Sequence, residues 1–422
     1  MPFKMLQFFS KTYLAGYAVY VALLFNIQFD KVLDWYALGL LIFGFCCVRP
    51  QSITGLWRAV LLNTPTKVFT VSLFGLVIVL SIATFQQLPR TIGILSLGAQ
   101  CWVPFGLSIV TVLILIAQKS KDAHLFFLKI FVAGAITIAG FDLWIYYEQW
   151  AKLIPMDVGN PHRELADAYI FFIPFIWAIA LQAQSAVKKV LLWGLLLLIS
   201  FIAIGSGARG IYIAILLEWV LLIGLSLTPF FFGKLLLPFK KTILLLALLT
   251  LLIWIAATYF FPHFFWGAID RGFGIEDRIL HTWNPTWFFI TKQPWAGYGF
   301  GPSIWNEVYA ANQIYLPGAL NVGSAHNWAL QLGFLGGLPA VALIIFFTIA
   351  FFWQFTMFVS TNRLALSLKK IAFSAGLTYF AFFMIRGLVE TPNWKPFYLL
   401  TAIFLYLIWQ FKKGPPNPST AN

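Results

Sequence analysis

Apolar stretches of about 17–25 residues, long enough to cross a bilayer as a helix, recur from one end of this chain to the other. That pattern leaves few folds open. Hydrocarbon offers no water to satisfy backbone N–H and C=O groups, so each stretch must close its own hydrogen bonds as a helix. Twelve such stretches are read, at 12–28, 33–48, 68–85, 93–118, 124–145, 167–185, 190–206, 210–228, 241–261, 334–359, 371–388 and 396–411. Composition agrees: 61% of the residues are hydrophobic and 10% charged, against about 25% charged in an average soluble domain. The 18 Trp, 15 Tyr and 45 Phe supply aromatic belts for both interfaces. The predicted fold class is an all-α polytopic membrane protein, one integral membrane domain over 1–422 with about twelve transmembrane helices. The first stretch, "LAGYAVYVALLF", lacks a small-residue cleavage site and is followed by more membrane, so it is read as a helix rather than a signal peptide.

Charge placement orients the bundle. With the N-terminus in the cytoplasm, most of the 28 Lys and Arg fall inside, among them Arg49, Arg58, Lys119, Lys188, Lys240, Lys369 and Lys412. This is the positive-inside bias. The carboxylates, Asp122 and Glu218 apart, fall at or near the outer side. The net charge of +14 therefore reflects topology and anionic headgroups. Basic residues scattered over separate short loops exclude a nucleic-acid surface. Cys46, Cys47 and Cys101 form neither a disulfide framework nor a zinc spacing. No P-loop, dinucleotide glycine motif or Asp-x-Asp metal motif occurs, and no metal or cofactor is expected. The tail "KKGPPNPSTAN", 412–422, reads as disordered and cytoplasmic.

Two outer segments remain. The shorter, 146–166, contains "DVGNPHREL"; the longer, 262–325, is expected to form a large periplasmic loop between the ninth and tenth helices. Loops of that length are uncommon in compact domains, and those that occur are often functional. Cations on this face are few. Arg209 lies in "GSGARGIY", where it either faces a packed cavity or snorkels to lipid phosphates. Arg278 and His281 in "EDRILHTW" share a face if that segment is helical, as candidates for substrate binding or as part of an amphipathic surface helix held by Glu276 and Asp277. Arg163 in "NPHREL" is a candidate of the same kind. Arg386 and Glu390, four apart in "IRGLVETPNW", are read as a structural pair. His326 in "GSAHNWALQL", with Asn327 beside it, opens the tenth stretch, either as a helix-capping residue or as a proton-transfer group. Asp30 and Asp34, one turn apart, are read as an ordinary polar connection, and Glu218 is left without a role.

Taken together, "SGARG", "EDRILHTW", "PWAGYGFG" and "AHNWALQLGFLGG" resemble the O-antigen ligase and polymerase superfamily of bacterial inner-membrane proteins. The resemblance covers motifs over about 200–340, and the N-terminal half matches in helix count and topology alone. It implies a GT-C-like glycosyltransferase that moves a glycan from undecaprenyl diphosphate to lipid A–core oligosaccharide at the periplasmic face, inverting the anomeric centre without a metal. By position, the essential histidine of such proteins falls on His326 and the essential arginines on Arg209 and Arg278. Asn327, His281 and Arg163 join them as expected substrate contacts. An O-antigen polymerase or a protein-glycosylating relative shares the donor chemistry, and a lipid-linked glycan flippase is the alternative from another class.

Overall fold

The computed structural model describes residues 3–26, 29–86, 91–118, 123–151, 161–227, 239–260, 266, 270, 276–301, 303–316, 321, 323–361, 364–391 and 393–413. Among these, every regular element is helical. In chain order they are α1 (Phe3–Leu23), α2 (Asp30–Phe45), α3 (Pro50–Val60), α4 (Thr64–Gln86), α5 (Gly93–Gln118), α6 (Ala123–Ala151), α7 (Pro161–Ala180), α8 (Ala186–Ile204), α9 (Arg209–Ser226), α10 (Phe239–Ile255), α11 (Asn284–Lys292), α12 (Ile304–Asn312), α13 (Trp328–Ser360), α14 (Leu366–Thr378) and α15 (Lys395–Lys413). α14 continues through a π turn, Tyr379–Ile385, into a 3-10 turn, Arg386–Leu388.

Each of the twelve apolar stretches falls on a helix. Six helical segments are long and apolar enough to cross a membrane: Thr64–Gln86, Gly93–Gln118, Leu125–Gln149, Ala186–Ile204, Trp328–Ser360 and Leu366–Leu388. A seventh is added if α2 and α3, bent by 103° at their junction, form one broken span. The helices depart from the expected spans at several points. α1 starts at Phe3, nine residues early (12 − 3). The short amphipathic α3 has no counterpart among the twelve stretches. α15 runs to Lys413, so the expected tail begins as helix, and 414–422 lie outside the described residues. Within the expected loop 262–325, α11 and α12 are regular helices.

α7 and α15 form the centre. Nearly every residue is buried from Leu165 to Ala178 and from Lys395 to Trp409, as befits helices surrounded on all sides. In lipid the apolar effect does little to join helices, so packing and interhelical hydrogen bonds hold them. Phe351 stacks on Phe404 at 3.8 Å and Phe69 lies 4.7 Å from Phe347. Ser374 Oγ donates to Pro174 O at 2.7 Å, tying α14 to α7.

α13 is not one straight rod. A Cβ on Gly333 would lie 3.1 Å from Val341 Cγ2, whereas eight residues of straight helix span about 12 Å. The chain turns back at Gly337, whose φ of 68° falls in the left-handed region open to glycine. A short arm, 328–336, thus folds against a long arm, 338–360. The turn leaves carbonyls without helical partners, and "PWAGYGFG" supplies them: Tyr298 N donates to Phe334 O and Gly299 N to Leu335 O, both at 2.8 Å. Leu338 N returns a bond to Pro294 O at 2.7 Å. Gly297, at φ 65°, comes so close that a Cβ would sit 2.5 Å from Leu335 O. The glycine motif is a strap that fixes the hairpin and, with it, the start of α13.

Candidate active site

The start of α13 carries the first site residue. His326 has φ 44°, a left-handed backbone that costs a non-glycine residue on the order of 1–3 kcal/mol. Its neighbours hold it there. Asn327 caps α13, its Oδ1 accepting from Leu330 N at 3.0 Å, while its Nδ2 donates to Leu388 O at 3.2 Å. Trp328 wedges its ring 4.8 Å from Phe383 and 5.6 Å from Phe397, and Gln331 Oε1 accepts from Ala325 N at 3.2 Å. Every residue of "HNW" is engaged with the turn that follows α14.

That turn carries Glu390. His326 Nδ1 is hydrogen-bonded to Glu390 Oε1. On the other carboxylate oxygen, Arg278 Nη2 lies at 3.7 Å and Arg386 Nη1 at 3.6 Å. His326 and Arg278 are each 25% exposed and Glu390 17%, open enough to meet a substrate. Arg386, by contrast, is buried, with its Nε donating to Asp167 Oδ1 of α7 at 2.8 Å. A buried arginine held by two carboxylates is a fixed positive strut rather than a mobile surface charge.

Arg209 is the first residue of α9 and is half-buried. The next residue, Gly210, packs so tightly on the same turn that a Cβ would lie 2.7 Å from Val389 Cγ2 and 3.3 Å from Arg386 Nη1. The backbone of "SGARG" therefore abuts the Arg386–Glu390 turn. Two helix N-termini, those of α9 and α13, meet there, and each carries partial positive charge. His281 is half-buried on the π turn Ile279–Trp283 that follows Arg278. Arg163 lies in the first turn of α7, and its side chain is outside the described residues.

Glu390 and Asp167 are the members that sequence reasoning missed. The expected Arg386–Glu390 pair exists, but the carboxylate is shared with His326 and Arg278 across sequence separations of 64 and 112 residues (390 − 326 and 390 − 278). The only sequence signal was an acid beside a cation just past the eleventh apolar stretch.

A second histidine–carboxylate pair lies between α6 and α7. His162 Nδ1 is hydrogen-bonded to Asp142 Oδ1, His162 Nε2 lies 2.9 Å from Gln149 Oε1, and Tyr169 OH donates to Asp142 Oδ2 at 2.7 Å. Tyr146 stacks on the imidazole at 3.7 Å. Elsewhere, Asp30 and Asp34 share one partner: the buried Lys395 Nζ lies 2.8 and 2.7 Å from their Oδ1 atoms, so these acids tie α2 to α15. Glu218 is fully buried on α9, with no hydrogen-bond partner among the described residues. No cluster of three or more His, Cys, Asp or Glu arranged to hold a metal occurs among the described residues.

Against known proteins, residues 194–345 match the O-antigen ligase family. Over 266 residues the chain is 23% identical to the O-antigen ligase of Salmonella typhimurium strain LT2, an alignment covering 62% of this chain and 64% of that relative's length. The matched segment spans Arg209, Arg278 and His326 and ends before the Arg386–Glu390 turn.

Proposed function

We propose that the chain transfers a glycan from a polyprenyl diphosphate carrier to the lipid A–core oligosaccharide, at the periplasmic face of the inner membrane. In this reading all twelve apolar helices cross the bilayer, both termini are cytoplasmic, and residues between α10 and α13 form the periplasmic loop. The observation that carries it is the single carboxylate of Glu390, bound at one oxygen by an imidazole and flanked at the other by two guanidiniums.

Such a transfer needs a base and a cationic seat for the leaving group. With Nδ1–H donated to Glu390, His326 presents Nε2 as the acceptor of a proton. As the acceptor hydroxyl oxygen bonds to the anomeric carbon, its proton passes to Nε2, and the bond from that carbon to the diphosphate oxygen breaks. Glu390 fixes the ring and stabilises the imidazolium that forms, as a carboxylate does behind any histidine base. The departing diphosphate gains charge and is met by Arg278 and Arg209, whose planar forks suit phosphate oxygens. The N-termini of α9 and α13 add fixed dipoles on the same side. Arg386 backs this seat from within the bundle. Asn327 and His281 line the approach, and Arg163 at the start of α7 stands as a further phosphate contact.

Reconstitution in liposomes with lipid-linked donor and two acceptors tests the reading. Glycan appearing on lipid A–core is the expected product. Extended lipid-linked glycan instead makes the protein a polymerase. Movement of labelled carrier across the bilayer without glycan transfer makes it a transporter.

A further inference from the structure

α3 lies at the end of the bundle remote from the candidate site. α15 starts beside that site, where Trp394 packs 5.9 Å from Trp328. Trp409 comes fourteen residues after Lys395 (409 − 395), about 21 Å further along the helix. Gly55 of α3 meets it there: a Cβ on Gly55 would lie 3.9 Å from the Trp409 indole Nε1. α2 packs along α5, and α3 is bent from α2 by 103°, so α3 runs across the bundle. At 3.6 residues per turn, its residues sort into three faces. Ser52, Leu56, Ala59 and Val60 are buried against the bundle. Ile53, Trp57 and Leu61, each four apart, form an apolar stripe and are 51, 59 and 47% exposed. Gln51, Thr54 and Arg58 make an exposed polar face beside it. Such a helix lies in a membrane interface, with its stripe toward acyl chains and its polar face toward headgroups.

Charge says which headgroup fits. Arg58 is in the last turn of α3, and Lys412 and Lys413 end α15; all three are exposed. Lys413 Nζ lies 3.9 Å over the ring of Trp409, the same indole that faces Gly55. No Asp or Glu occurs in 46–67 or in 405–422. Each helix C-terminus offers about half a negative charge, so the two ends offset about one of the three cations and leave about two. We infer that this corner binds an anionic phospholipid of the leaflet remote from the site. Its phosphate sits among Arg58, Lys412 and Lys413, and its acyl chains run along Ile53, Trp57 and Leu61. A zwitterionic headgroup carries its own ammonium and leaves the surplus in place, whereas a phosphatidylglycerol headgroup offsets it. Free phosphate has the charge but nothing for the stripe to hold. α3 lies at the opposite end of the bundle from His326, so binding there stands or falls apart from the transfer reaction.

Two measurements on the intact protein test this site, and neither needs turnover. In the first, phosphatidylglycerol and phosphatidylethanolamine bearing the same diazirine-labelled acyl chain are photolysed with the protein in liposomes, and the adducts are mapped. Phosphatidylglycerol should mark Ile53, Trp57 or Leu61 about threefold or more above phosphatidylethanolamine. Equal marking makes the stripe ordinary lipid contact and overturns the inference. Marking by neither means that α3 is covered by something other than lipid, such as a second copy of this chain, and overturns it as well. The second is native mass spectrometry of the purified protein with phosphatidylglycerol. Joint Arg58→Gln and Lys413→Gln should lower retained lipid about tenfold or more, whereas Lys188→Gln with Lys189→Gln, the same charge lost at the start of α8, should stay within about twofold. Joint Arg58→Lys and Lys413→Arg, which keeps both charges, should also stay within about twofold. Equal losses in all three double variants, or displacement of the lipid by inorganic phosphate, would refute an anionic lipid site at this corner.

Discussion

His326 with Glu390 and His162 with Asp142 are the same chemical pair in two settings. The first pair is 25% and 17% exposed, sits on strained backbone, and has cations around its carboxylate. The second is 5% and 1% exposed, and both ring nitrogens are taken, by Asp142 and Gln149, beneath a stacked Tyr146. An imidazole with both nitrogens engaged has no atom to offer a substrate. Among the described residues, His326 Nε2 has no hydrogen-bond partner. A histidine–carboxylate contact by itself thus says little; access and the charges behind it separate a proton shuttle from a clasp.

Substitutions should pull the two pairs apart. The largest effect is expected at His326→Ala: glycan transfer by purified, membrane-inserted protein should fall by roughly 10²–10⁴-fold, the usual worth of a general base, with its thermal transition little changed. Arg278→Lys should be milder, about tenfold or more in kcat/KM, because an ammonium cannot reproduce the planar fork. His162→Ala should reverse the pattern. Leaving the buried Asp142 and Gln149 without their partner should cost about 1–3 kcal/mol of stability, read as a lower melting temperature, while the rate per folded molecule stays within about twofold. A slow but normally stable His162→Ala protein would dissolve the distinction.

Much of the fold was legible because lipid imposes a simple rule: long apolar runs become helices, and each of the twelve falls on one, six of them in helical segments long and apolar enough to cross a membrane. α3 escaped because a short amphipathic helix does not announce itself by hydropathy. The hairpin in α13 was half legible. Gly333, Gly336 and Gly337 cluster in "AHNWALQLGFLGG", but the reversal at Gly337 depends on "PWAGYGFG", some forty residues earlier in sequence, arriving to satisfy the exposed carbonyls. For the site, single residues were readable where an arginine or histidine stood out against apolar sequence. Glu390 was not, because its local partner Arg386 sufficed to explain it; its link to His326 depends on Asn327 docking the start of α13 onto Leu388. Asp142, in the middle of an apolar run, and His162, beside the more conspicuous Arg163, were passed over for the same local reason.

The central claim is that one carboxylate orients the base and anchors the cationic seat. Replacing it with its uncharged isostere, Glu390→Gln, and following glycan transfer in liposomes tests this most directly. The account predicts a loss of about a hundredfold or more in protein that melts like the wild type. Transfer within twofold of wild type would contradict it.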